Sequence, residues 1–234
     1  MSTSTSPTNP KPTPRVNIRL PTPSECQDPT FLLKTTHLIN KAYSAPATTL
    51  LKPQKLRTNT TEVQTWLESG NFYLAFACHP KLDNDELSLP QHEHQLQSPV
   101  GTIRVHALEP GVSDLGILTV DAAFRSSGLG RALIAHAEGV AVEDGAGRMR
   151  IEVPSPRVCG HTGSGGSGGI DAQGQPVKKR YLRAWYEGLG YELVGKRTPE
   201  ETVPLLAESF QDEVEILVME KRLLCGELFT RLGR

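Results

Sequence analysis

The sequence carries no excess of either charge. Its 25 Lys and Arg stand against 26 Asp and Glu, a formal net charge of −1. So even a balance gives no bulk attraction for nucleic acid or an anionic membrane, and neither is expected as a partner. No apolar run approaches the roughly 18 residues that a membrane span needs, and the first residues lack the apolar core of a secretory signal. The chain is therefore expected in the cytoplasm, with the nucleus as a further location. The four cysteines, Cys26, Cys78, Cys159 and Cys225, include no CxxC pair. That argues against a disulfide framework or a structural zinc site and leaves reduced thiols. His92-Glu93-His94 sits in a polar loop, where neighbouring histidines are solvated far more often than metal-bound, so no metal is assigned.

Two nucleotide signatures are missing as well. The Gly-rich stretch from Pro154 to Pro176 lacks the Gly-Lys-Ser/Thr ending of a P-loop, and the spacing of Gly128 and Gly130 after the strand that ends at Val120 is not GxGxxG. Nucleoside triphosphates and nicotinamide dinucleotides are disfavoured as ligands.

What remains, over 234 residues, suffices for one sizeable domain. Residues 1–15 hold four prolines among small polar groups and read as a disordered tail. Residues 16–234 read as the domain, with flexible loops near 79–98 and 154–178. "RVNIRL" alternates as a strand should. "FLLKTTHLINKAYS" gives a helical stripe through Phe31, Leu38 and Ala42, flanked by Leu32, Ile39 and Tyr43. A second helix is expected in "TTEVQTWLESG" from Thr61, with hydroxyl caps and a stop at Gly70. "NFYLAFA", "PVGTIRVHAL" and the run into Val120 read as three strands, the last two joined by a turn at Glu109-Pro110-Gly111. A helix follows Gly128 through Leu129, Leu133, His136 or Ala137, and Val140, ending near Gly145. "RMRIEV" is a strand. "KKRYLRAWYEGLG" is a helix with Tyr181, Ala184, Trp185 and Gly188 on one face and Gly190 as its C-cap. Two final strands follow. The order predicts an α/β (α+β) fold, a mixed sheet covered by helices.

The chemistry lies in "LTVDAAFRSSGLGRALI", Leu118 to Ile134. A helix N-terminus offers unpaired N–H groups and a partial positive charge. Glycines at 128 and 130 let the backbone approach a ligand, and Arg125, Ser126, Ser127 and Arg131 add donors. Together these suit a phosphate or pyrophosphate. Taken alone, such a turn is structural more often than ligand-binding.

Val120, followed by Arg125-x-x-Gly128-Leu129-Gly130 and an amphipathic helix, resembles the cofactor motif of the GNAT superfamily of acyl-CoA-dependent N-acetyltransferases. "WYEGLGY", Trp185 to Tyr191, resembles that family's second signature, and the element order from Val16 to Leu224 fits as well. The resemblance implies a single-domain GNAT fold with a central mixed, largely antiparallel sheet. It implies acetyl-CoA as co-substrate and an acetyl group passed to a primary amine by direct attack. Acceptors of this class are small-molecule or peptide amines. By the same resemblance, the backbone of Leu118, Thr119 and Val120 meets the pantetheine arm, which lies between two splayed strands. The amide of Leu118 polarises the thioester carbonyl, and the turn from Arg125 to Arg131 wraps the pyrophosphate.

Three catalytic residues follow from the resemblance. Tyr186 takes the tyrosine position that protonates the departing thiolate, with packing as the bland alternative. Glu152 in "RIEV" and Asp114 in "SDLG" are candidate bases, either of which could be a solvated carboxylate. Glu152 ranks first. Ser126 and Lys179 depart from the family pattern, Ser126 where glycine or a basic residue is common and Lys179 where some members place a CoA-contacting asparagine. Lys179, next to Lys178 and Arg180, can still reach a phosphate. Walls for the acceptor are expected from Tyr43 to Leu56 and from the Gly-rich loop, and neither names an amine. A non-catalytic acyl-CoA-binding or regulatory module on the same fold is the alternative reading.

Overall fold

Strand-forming residues alternate between two faces, and that alternation organises the sheet. The computed structural model describes residues 15–44, 52, 55–78, 97–156, 180–210 and 214–224. The expected tail (but for Arg15), most of both expected loops, His92, His94, Cys159, Cys225 and Lys179 lie outside these residues. Among the described residues, seven strands form one sheet in the order β1-β2-β3-β4-β5-β7-β6. They are β1 (Val16–Arg19), β2 (Phe72–Ala77), β3 (Gly101–Glu109), β4 (Val112–Val120), β5 (Arg148–Pro156), β6 (Glu192–Arg197) and β7 (Val214–Arg222). Every neighbouring pair is antiparallel except β4 and β5. The expected mixed, largely antiparallel GNAT-type sheet is what forms.

The helices are α1 (Pro23–Gln27), α2 (Pro29–Ser44), α3 (Thr60–Glu68), α4 (Leu129–Glu143), α5 (Arg180–Glu187), α6 (Pro199–Thr202) and α7 (Pro204–Ala207). One face of the sheet packs against α4, whose Leu129, Leu133, Ile134 and Ala137 meet Ile103, Val105, Leu115, Ile151 and Met219 in one core. On the opposite face the covering is split. At one end Phe31, Ile39, Val63 and Trp66 of α2 and α3 lie on Phe72, Leu74, Phe76 and Ile117. At the other end Phe210, Val214 and Ile216 form a small separate cluster with Val203. Between the two, no helix among the described residues lies on the sheet's second face, and the site is there.

Local chemistry explains several boundaries. The α4 helix ends where Gly145, at φ +85, lets the Ala146 N–H reach back to the Ala141 carbonyl at 2.8 Å, a closing turn that favours glycine. The β3–β4 hairpin turns at Pro110-Gly111, with Gly111 at φ +75. The cap of α3 corrects the expectation of a hydroxyl: Asn59 accepts from the Glu62 N–H at 2.9 Å. The buried face of α5 is also corrected. Ala184 and Gly188 are exposed, whereas Leu182, Trp185, Tyr186 and Leu189 pack on the α4-side core, because only the face toward the sheet can bury apolar surface. The two short helices α6 and α7 went unexpected, since a four-residue helix carries no periodicity to detect.

Candidate active site

The β3–β4 pairing has two irregularities, and both shape the site. Glu109 pairs with Val112, yet Ala107 pairs with Ser113, so Leu108 is an extra residue. The slip sets His106 opposite Asp114. Further on, Thr102 pairs with Thr119 and Arg104 with Gly116, leaving two β4 residues against one on β3. At this second bulge Ile117 adopts φ +49, unusual for a β-branched residue. The extra residue reverses the side-chain phase: Leu115 faces the α4 core, Ile117 the α2–α3 core, and Leu118 and Val120 the α4 side again. Buried hydroxyls fix the bulge, with the Thr102 and Thr119 oxygens 2.8 Å apart and Thr102 Oγ1 also 2.8 Å from the Ile117 carbonyl. Thr119 therefore spends its side chain inside the sheet and offers a ligand only its backbone.

The β4 and β5 strands pair over four positions, from Val112 opposite Arg148 to Leu115 opposite Ile151. Beyond Leu115 the two strands have no further pairing among the described residues, and the edge of β4 from Gly116 to Val120 is open toward β5. A cavity of about 590 Å³ begins at this opening and is lined by Asp114, Leu118, Glu152 and Tyr186 among others. All three expected catalytic residues thus reach one space. Asp114 and Glu152 belong to the face opposite α4, whereas Tyr186 packs in the α4-side core. The cavity connects the two faces through the strand opening.

Asp114 is largely buried, and burial, reinforced by the nearby Glu152 charge, pushes its carboxyl up to about 7. Its Oδ1 has no hydrogen-bond partner among the described residues. His106 Nε2 lies 3.8 Å from Asp114 Oδ2. Burial and then Arg104 push the His106 imidazole down, so the two do not form an ion pair at neutral pH. His106 Nδ1 is likewise buried without a partner. Glu152 differs: burial raises its carboxyl too, opposed by Arg197 and Arg150, and Arg197 Nη1 holds its Oε1 at 3.3 Å. Tyr186 is 8% exposed. Burial, and secondarily Tyr43, holds its hydroxyl proton tightly. Its ring meets Tyr191 edge-on at 5.9 Å.

The expected phosphate turn lies at the start of α4. Gly128 is the N-cap at φ +88, with no side chain capping the first turn, so those N–H groups face outward. Ser126 holds φ +63, a cost that glycine would avoid. The Ser127 hydroxyl donates to the Phe124 carbonyl at 2.7 Å, which engages its proton in the turn itself. Arg125 and Arg131 are exposed. A Cβ added to Gly130 would stand 3.3 Å from the Trp185 ring. The two signature segments, far apart in sequence, therefore touch.

Sequence reasoning missed His106, Arg57, Arg104 and Arg197, all of which line the cavity. Regular pairing back from the Pro110-Gly111 turn would set Ala107, not His106, opposite Asp114. Only the bulge at Leu108 corrects it.

Residues 54–158 match the Acetyltransferase (GNAT) family. None of the curated proteins matches the sequence. Among solved structures, a GNAT-family acetyltransferase from Staphylococcus aureus Mu50 has TM-score 0.52 at 16% identity, over 90% of this chain and 100% of that one. A ribosomal-protein-alanine N-acetyltransferase from Brucella melitensis has TM-score 0.53 at 18% identity, over 88% and 99%. An aminoglycoside 6′-N-acetyltransferase complexed with coenzyme A has TM-score 0.55 at 13% identity, over 89% and 97%. At such identities the likeness is one of fold. Residues 54–158 thus resemble the GNAT acetyltransferase family, and the fold around them is the one those solved structures share.

Proposed function

We propose that the protein is an N-acetyltransferase that passes the acetyl group of acetyl-CoA to a primary amine, with Asp114 as the base. The observation that carries this reading is the cavity running through the β4–β5 opening, with Asp114 and Glu152 on one side of the sheet and Tyr186 on the other. The residues fit the co-substrate. The uncapped start of α4, with Gly128, Gly130, Arg125 and Arg131 around it, suits a pyrophosphate. The open edge of Leu118 to Val120 suits the amide-bearing pantetheine arm.

Acetyl-CoA, when bound, supplies an activated acetyl group as a thioester. The amide N–H of Leu118, on the open edge, is free to donate to oxygen as negative charge develops there. Asp114 accepts a proton from the arriving ammonium, directly or through water. Its carboxyl near 7 suits a base that works at neutral pH. Per turnover one C–N bond forms and one C–S bond breaks, and the amine gives up two protons. One leaves through Asp114 to solvent. The other restores the Tyr186 hydroxyl after that group has protonated the thiolate. Glu152, held by Arg197, acts on this chemistry through its charge. The order of the two carboxylates thus reverses the one taken from the sequence.

Titration calorimetry with CoA, followed by CoA release across amines, tests the reading. Heat of binding with transfer supports it. Binding without turnover on any amine selects the non-catalytic module. Tyr186→Phe should lower turnover by about 10²-fold and leave acetyl-CoA affinity nearly unchanged, and lost cofactor binding would contradict the assignment. Glu152→Gln should keep turnover and move the ascending limb of the pH–rate profile to lower pH. Its negative charge helps raise the Asp114 carboxyl, so removing it eases ionisation. Disappearance of that limb would make Glu152 the base instead.

A further inference from the structure

On the sheet face away from α4, the cavity holds two guanidiniums that no carboxylate pairs with among the described residues. Three guanidiniums line it, from Arg57, Arg104 and Arg197. Arg197 is taken by Glu152 at 3.3 Å. The Arg57 guanidinium lies over the Tyr43 and Trp66 rings, 5.6 Å from each centroid. Arg104 has one long hydrogen bond of 3.4 Å from its Nε to the Asn71 amide oxygen. Neither Arg57 nor Arg104 is ion-paired to a carboxylate among the described residues.

The carboxylates nearby are engaged elsewhere. Glu152 belongs to Arg197, and Glu201 accepts from the Thr198 N–H at 2.8 Å to cap its own helix. Asp114 approaches neutrality through burial. An anion would be held well, because the planar guanidinium fork matches a carboxylate. Ile117, Val203 and Phe210 give the same cavity an apolar patch.

We infer that the acceptor is an amino acid with an apolar side chain. Arg57 and Arg104 receive its carboxylate, the apolar wall receives its side chain, and its amine is left at Asp114. The inference rests on the acetyltransferase reading and narrows it to one substrate class. Arg57 and Arg104 are specificity residues here and take no part in the bond changes.

Leucine, leucinamide and isopentylamine form a matched set for the test, differing only in the group beside the amine. The unmodified protein should use leucine with kcat/KM at least about 10-fold above the other two. This should hold although leucinamide is the more easily deprotonated amine. Arg57→Ala should raise KM for leucine about 10-fold, leave KM for acetyl-CoA unchanged and level the preference, and Arg57→Lys should restore part of it. Arg104→Ala should act in the same way when compared on the high-pH plateau, since Arg104 also influences the Asp114 carboxyl. Equal or better use of leucinamide, isopentylamine or spermidine by the unmodified protein overturns the inference and leaves acetyl transfer standing. Absence of any heat with CoA overturns acetyl transfer, and the inference falls with it. The discrimination by the unmodified protein decides the matter even if a variant does not fold.

Discussion

Asp114→Asn should transfer acetyl groups about 10²–10⁴-fold more slowly than the parent chain and yet melt at a higher temperature above pH 7. The loss of rate follows from removing the only acceptor of the amine proton in the proposed mechanism. The gain in stability follows from linkage. The folded carboxyl ionises near 7, against 3.8 for an unconstrained one. Below 3.8 the group is neutral in both states and contributes nothing. Between the two values the unfolded chain releases its proton more readily, which favours unfolding, and above 7 the penalty is complete. Asparagine has nearly the same shape and never ionises, so it removes a penalty on the order of 4 kcal/mol. Melting at pH 8 should rise on the order of 10 °C, and the gap should close as the pH falls toward 3.8. Calorimetric melts at three pH values beside a CoA-release assay decide it. Equal melting at pH 8 would mean that the carboxyl is not held near neutrality, and the case for Asp114 as base would weaken with it.

Gly101→Val should do the reverse and destabilise the fold at every pH. A Cβ at this position stands 3.0 Å from the Thr119 carbonyl oxygen and 3.0 Å from Leu133 Cδ1. Leu133 can turn aside. The Thr119 carbonyl belongs to the backbone of β4 and cannot, and valine adds two methyl groups beyond the Cβ. Overpacking of this kind costs about 3 kcal/mol, and melting should fall by roughly 5–10 °C. Displacing Thr119 also moves the open edge from Leu118 to Val120, so KM for acetyl-CoA should rise. Gly147→Ala is the comparison: nothing stands within 4 Å of its Cβ, and its stability should change by less than about 0.5 kcal/mol. A Gly101→Val protein that melts with the parent would show that β3 and β4 separate more freely than the close approach implies.

Much of the fold was legible because its signals are local. Alternation marked the strands, Pro110-Gly111 and Gly145 marked a turn and a helix end, and the two signature segments were recognisable before their contact at Gly130 and Trp185 was known. The unread parts depend on pairing. Whether His106 or Ala107 faces Asp114 turns on one extra residue at Leu108, and no propensity marks it. The phase reversal at Ile117 is equally silent, since a β-branched residue gives no warning of φ +49. The ranking of the two carboxylates needed Arg197, which reaches Glu152 from β6, 45 residues further along the chain. Arg57 joins the cavity from a connection that precedes α3, a position that only the packed α2–α3 pair determines.

The gap between the two clusters on the second face separates two kinds of selective constraint. Exposed or half-exposed residues such as Leu108, Arg57 and Val203 border the gap, while the buried anchors that hold the chain together lie to either side of it. Mutations along the rim can therefore accumulate with little effect on folding. A lineage carrying this architecture is free to trade one guest molecule for another while its scaffold stays the same.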